Sequence, residues 1–281
     1  MPKEPTPSLE DILNHKRAAL AQREAMVPLN AVRAQARMQV RPMDMVSCLR
    51  DGNLSLVAQL ERATPEDGRL LQDYDPVGLA RLFEHNGAAA IAVVTEERYY
   101  GGGMDHLTLV KRAVNVPVWC ADFIIAPYQV YQARAAGADG VQFIAYLLDD
   151  GLLLDLMSLA QRLKMASMVM VRDEAEVARV FPLDPPVIGL ATRDPVTGAV
   201  NLDLPARLRP LLPRHTTVLA VGGFRTAEDV AKAAAAGLDG VVVARALLTA
   251  PDKAAKLREL FSFPESAKAT IPEYRTPSRG P

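Results

Sequence analysis

Residues able to do chemistry are few in this chain, and they sit in separate stretches. Carboxylates gather at Glu61, Glu66 and Asp67, directly after the apolar run Leu54–Leu60. Such a group could serve proton transfer, and it repels an anion. A second stretch is Gly222-Gly223, with Ala244-Arg245 further on. Residues without side chains let an anion approach backbone N–H groups, and the Arg245 fork can hold two phosphate oxygens at once. Other reactive types fall into no pattern. His15, His85, His106 and His215 share no spacing and read as surface residues. Cys48 and Cys120 form neither a metal spacing nor a CxxC pair, so free thiols in a reducing compartment are expected. GxGxxG is absent, and no metal site and no cofactor are expected.

These groups need a scaffold, and a repeating one is readable. Residues 119–142, WCADFIIAPYQVYQARAAGADGVQ, read as strand, loop, helix and strand. Pro127 opens the helix where a missing N–H costs nothing, and Gly137 closes it. Eight candidate strands follow this rhythm: Leu54–Leu60, Ala89–Val94, Val116–Ala121, Gly140–Ala145, Ser167–Val171, Val187–Ala191, Thr217–Val221 and Gly240–Ala244. Helical patterns separate them, among them Pro76–His85, Asp105–Ala113, Asp149–Leu163 and Ala227–Ala236. Strands and helices alternating eight times predict an α/β fold, a single (β/α)8 TIM barrel whose chemistry lies at the C-terminal strand ends. A doubly wound open sheet is the rival and would usually have fewer repeats.

The barrel is expected over residues 54–260. Residues 1–53 form an N-terminal extension, with helices from Ser8 and over Leu29–Met38. Residues 261–281 form an irregular Pro-rich tail with four prolines and no apolar period. The 281 residues are 49% hydrophobic and carry a net charge of −1. That balance gives no case for nucleic acid. No apolar run reaches the length of a bilayer span, so no membrane insertion is expected, and MPKEPTPSLED is no signal peptide. A cytoplasmic protein is the expectation.

Several motifs carry a family likeness: DFI-PYQVY-ARAAGAD after the third strand, RATP-DG after the first, YDP before the first barrel helix, NGAAAIAVVTEE, and GGFRTAEDV. The chain resembles indole-3-glycerol phosphate synthase, the tryptophan-pathway lyase, from Ser8 to about Leu260. The resemblance implies an N-terminal extension covering one barrel end, a mobile loop at Tyr99-Tyr100-Gly101-Gly102-Gly103, and a phosphate site after strands seven and eight at Gly222 and Gly223. There Ala244-Arg245 departs from the family's Gly, and Arg245 either adds a cation or pairs with an acid. It also implies a catalytic set that this sequence departs from. An inward glutamate and a carboxylate-binding lysine on the first strand correspond to Gln59 and Glu61. The general-acid lysine corresponds to Ala121, and the general-base glutamate to Met170. An asparagine corresponds to Ala191, and a glutamate and serine to Val221 and Gly222.

Alternation along the strands turns Trp119 and Ala121 inward, with Met168 and Met170 filling the lumen, and turns Cys120 outward. Asp122 and Arg193 match the family and remain at the mouth beside Glu61; both also suit structural ion pairs. The emptied set leads to the expectation of a divergent paralogue without catalytic residues. Such a chain would serve as a binding, scaffold or regulatory subunit with a residual anion site and a protein partner, or a second copy, engaged through the tail. The alternatives are an enzyme acting on another phosphorylated small molecule through Glu61, Asp122 and Arg193, and an active synthase.

Overall fold

The computed structural model describes residues 7–50, 54–194 and 198–262. Expectations for the lead-in before residue 7 and for the tail beyond residue 262 lie outside the described residues. Eight parallel strands close on themselves: β1 (Ser55–Leu60), β2 (Ala90–Val94), β3 (Val118–Ala121), β4 (Gly140–Ile144), β5 (Ala166–Val171), β6 (Val187–Ala191), β7 (Thr217–Val221) and β8 (Gly240–Val243). Closure pairs Val57 of β1 with Val242 of β8 on one side and with Ala90 of β2 on the other.

Two apolar faces explain why the ring closes. Outward residues such as Leu56, Ile91, Cys120 and Phe143 pack under the surrounding helices in the large core. Inward residues, among them Val57, Ala92, Trp119, Met168 and Leu219, fill the lumen as a second cluster. A strand buried on both faces reads as a continuous apolar run, which is how these strands look in sequence. The parity expected for Trp119, Ala121 and Cys120 is the one observed.

The extension spans the height of the barrel. Helix α1 (Leu9–Met26) starts at Ser8, whose hydroxyl accepts from Asp11 N while the Asp11 carboxylate accepts from Ser8 N. This capping box satisfies two orphan donors reciprocally. α1 lies over the C-terminal ends of β2 and β3. Helix α2 (Leu29–Met38) packs on α6 (Pro127–Ala135), with Gln39 Nε2 donating to Ala135 O at 2.6 Å and Tyr128 Oη donating to Val27 O at 2.9 Å. Helix α3 (Met45–Leu49), absent from the sequence reading, underlies the opposite end. There Met45 fills the space that a side chain at Gly140 would need.

Residues 133–142, ARAAGADGVQ, and 233–243, AAAAGLDGVVV, resemble each other and share one job at that end. Asp139 Oδ2 accepts from Val118 N, and Asp239 Oδ2 accepts from Val218 N, each at 2.7 Å. Each aspartate thus satisfies an N–H at the start of the preceding strand. The remaining barrel helices are α4 (Pro76–His85), α5 (Met104–Ala113), α7 (Asp150–Arg162), α8 (Glu174–Val180), α9 (Leu204–Leu208), α10 (Ala227–Ala235), α11 (Arg245–Leu248) and α12 (Lys253–Leu260). α8 and α9 are too short to show a helical period, and a hairpin pairing Ala63-Thr64 with Gly68-Arg69 follows β1. No described helix is long and apolar enough to cross a membrane.

Candidate active site

The alternation that fills the lumen also sets what reaches the mouth. Gln59, Glu61, Ala121, Met170 and Val221 line one cavity of about 880 Å3 at the C-terminal strand ends. Ala191 belongs to the lumen cluster beneath it. Apolar side chains from four strands therefore meet a polar edge from β1.

Glu61 dominates that edge. It is almost fully buried, and Gln59 Nε2 donates to its Oε2 at 2.9 Å. Burial pushes its carboxyl up to about 7, against lowering by the Gln59 hydrogen bond and the Arg193 charge. Glu66 and Asp67 push it further up. A carboxyl poised there exchanges protons near neutral pH, as a general acid–base group must.

Asp122, expected at the mouth, lines the cavity but has other work. Lys16 Nζ of α1 lies 2.7 Å from its Oδ1, Thr95 Oγ1 donates to Oδ2 at 2.7 Å, and Phe123 N donates to Oδ1 at 2.7 Å. It fastens the extension to β3. Arg193 lies 3.5 Å from Glu66, and Arg245 lies 2.5 Å from Asp67, so both arginines hold the hairpin after β1.

The expected anion site is altered in the same way. Gly222 and Gly223 both have φ of +88°, a conformation that excludes most side chains. Yet Gly222 N donates to Val242 O at 3.1 Å and is not free for an anion. A side chain at Gly223 would also strike Val200. Chain geometry alone explains both glycines.

The loop after β2 is tied down by hydrogen bonds at its start. The buried Glu96 carboxylate accepts from Arg98 N, Tyr99 N and Tyr100 N at 3.2, 2.7 and 3.0 Å. Ala63 N then donates to Tyr100 O at 3.0 Å, which ties this loop to the β1 hairpin. Cys120 is buried against Thr95, and its thiol is pushed up to about 12 by burial and by Asp122, so it is no nucleophile. His85 and His215 are exposed as expected. His15 and His106 are half-buried against Tyr99 and Tyr74.

Sequence reasoning missed Lys16, Glu96 and Gln142. Lys16 extends the apolar stripe of Leu9, Ile12 and Leu13 by one helical step, which was the available signal.

A closed eight-stranded parallel barrel with its polar groups at the C-terminal strand ends defines the (β/α)8 class. Solved structures agree on the fold. 3-Hexulose-6-phosphate synthase from Salmonella typhimurium superposes with a TM-score of 0.61 at 16% identity, covering 74% of this chain and 97% of that one. Thiamine phosphate pyrophosphorylase from Pyrococcus furiosus gives 0.57 at 19%, covering 74% and 93%.

The chain belongs to the indole-3-glycerol phosphate synthase family, whose sequence pattern matches residues 9–260. The indole-3-glycerol phosphate synthase of Mycobacterium leprae is 37% identical over 258 residues, covering 92% of this chain and 95% of the relative. That of Mycobacteroides abscessus is 37% identical over 254 residues, covering 90% and 93%. These relatives are named as enzymes across nearly the whole length. That overturns the expectation of a non-catalytic scaffold subunit, which rested on the mouth substitutions and the Pro-rich tail.

Proposed function

We propose that this chain is an enzyme of the indole-3-glycerol phosphate synthase family that acts on a phosphorylated substrate by proton transfer at Glu61. The carrying observation is the buried Glu61 carboxyl, held near 7 at the edge of the mouth cavity. Ala121 and Met170, where the family resemblance implies an acid and a base, neither give nor take protons, which supports a reaction distinct from the synthase's own. In this reading the phosphate lies against the turns at Gly223 and Arg245. It competes there with Asp67 for the guanidinium.

A second reading, the synthase reaction itself, is favoured by the identity to named synthases over more than nine-tenths of the chain. The test assays phosphorylated sugars and their arylamino derivatives, including 1-(o-carboxyphenylamino)-1-deoxyribulose 5-phosphate, with the wild type and with Glu61→Gln. The expected result is turnover of a phosphorylated compound other than that one, reduced on the order of 10²- to 10⁴-fold in the variant. Turnover of the carboxyphenylamino compound at a synthase's rate selects the second reading. Turnover unaffected by Glu61→Gln removes the role given to Glu61.

The phosphate placement makes its own prediction. Asp67→Asn releases Arg245, which is 46% exposed, so inorganic phosphate should bind about tenfold more tightly by calorimetry at low salt. Unchanged or weaker binding in the variant excludes Arg245 as the phosphate ligand.

A further inference from the structure

Two of the polar atoms facing the floor of the mouth are acceptors that receive no donor, while the unpaired Trp119 Nε1 lies beneath them in the lumen cluster. Gln142 of β4 lines the cavity and is 9% exposed, and its Oε1 receives no hydrogen bond. Across the lumen on the β1 side, Glu61 accepts from Gln59 through Oε2, and no described group donates to its Oε1. Nearby charges do not supply the missing donor. Arg193 is drawn to Glu66, Arg245 to Asp67, and Lys16 to Asp122. Glu96 already accepts from three backbone N–H groups. Between the two acceptors the wall is apolar, formed by Val94, Ala121, Ile144, Met170 and Val221.

A buried acceptor left unpaired is expensive, so a ligand filling this floor must bring donors. A carboxylate would bring more acceptors and meet the Glu61 charge. We propose that the floor of the mouth binds a protonated amine carried on an apolar body, with Glu61 as its counter-charge and Gln142 Oε1 as a second acceptor. This rests on reading the mouth as the substrate site and names the end of the substrate remote from its phosphate. Glu61 and Gln142 then decide specificity.

The pH dependence follows from every charged group facing Glu61. Arg193 favours its ionised form, while Glu66 and Asp67 oppose it. Tyr74 and Tyr100, beside Glu61, have hydroxyls pushed above their usual range by burial and stay neutral. Amine binding should therefore strengthen as pH rises through about 7 and Glu61 ionises.

The chain's one tryptophan, Trp119, is buried in the lumen cluster with Ala121 and reports on the floor by its fluorescence. Benzylamine and benzoate are titrated into the full chain at pH 8 and at pH 6. The expected result is benzylamine binding at least tenfold more tightly than benzoate at pH 8, with the preference reduced at pH 6. Glu61→Gln should remove the pH dependence, Gln142→Leu should weaken benzylamine alone, and Glu61→Lys should invert the preference. Benzoate binding as tightly as benzylamine to the wild type overturns the proposal, and so does a preference that survives Glu61→Gln. Calorimetric titration with the same ligands decides the matter if the fluorescence is silent. These titrations need neither turnover nor a phosphate, so their failure is distinguishable from failure of the proposed reaction.

Discussion

Replacing Lys16 by methionine lowers the melting temperature by roughly 10 °C. The side chains of Lys16 and Asp122 are 3% and 2% exposed and lie 2.7 Å apart. Removing the cation leaves a buried carboxylate held only by Thr95 and Phe123 N, and breaking one half of such a pair typically costs about 3–5 kcal/mol. At about 2–4 °C per kcal/mol for a chain of this order of size, the shift should be unmistakable. The double variant Lys16→Met/Asp122→Leu should recover much of the loss, because no uncompensated charge remains. Calorimetric melting of wild type, both single variants and the double variant makes the measurement. A shift below about 2 °C for Lys16→Met would show that α1 is held on the mouth by its apolar face alone.

Glu61→Gln acts in the opposite direction, and only at high pH. The folded carboxyl sits at about 7, above the 4.5 of an unburied glutamate, so the folded state holds a proton that the unfolded state releases. Stability from this group is complete below pH 4.5, declines between 4.5 and 7, and is lost above 7. At 1.36 kcal/mol per unit the window amounts to roughly 3 kcal/mol. Glutamine keeps the shape and never ionises. The variant should match wild type near pH 4 and exceed it by several degrees in melting temperature at pH 8.5. A difference that does not change with pH would mean that Glu61 titrates normally in the fold. A group that destabilises its own fold at working pH is the kind retained for function.

How much of this was legible in the sequence follows from what each feature depends on. The barrel was readable, because a strand buried on both faces must be apolar throughout and a helix between strands must show its period and its caps. Ser8, Pro127 and Gly137 each marked a terminus through local backbone chemistry. Strand ends drifted by a residue or two, since pairing partners rather than residue type set where a strand stops. The short α3, α8 and α9 offered too few turns for a period to show.

The family resemblance and strand alternation together gave the inward set, from Gln59 to Val221, without any coordinates. What those residues do was not contained in it. Glu61 as an isolated letter is an acidic residue that repels an anion; in the fold, burial pushes its carboxyl up to about 7 against lowering by Gln59 and Arg193. Asp122 looked like mouth chemistry until Lys16, more than a hundred positions earlier, came to rest on it. Arg245 looked like an anion ligand, and Arg193 like a mouth residue or one half of an ion pair, until the hairpin after β1 laid Asp67 and Glu66 against them. Residue type sets what a side chain can do, and neighbours distant in sequence decide whether it is free to do it. Burial and charge pairing depend on distances across the fold, and one strand's alternation carries no record of them.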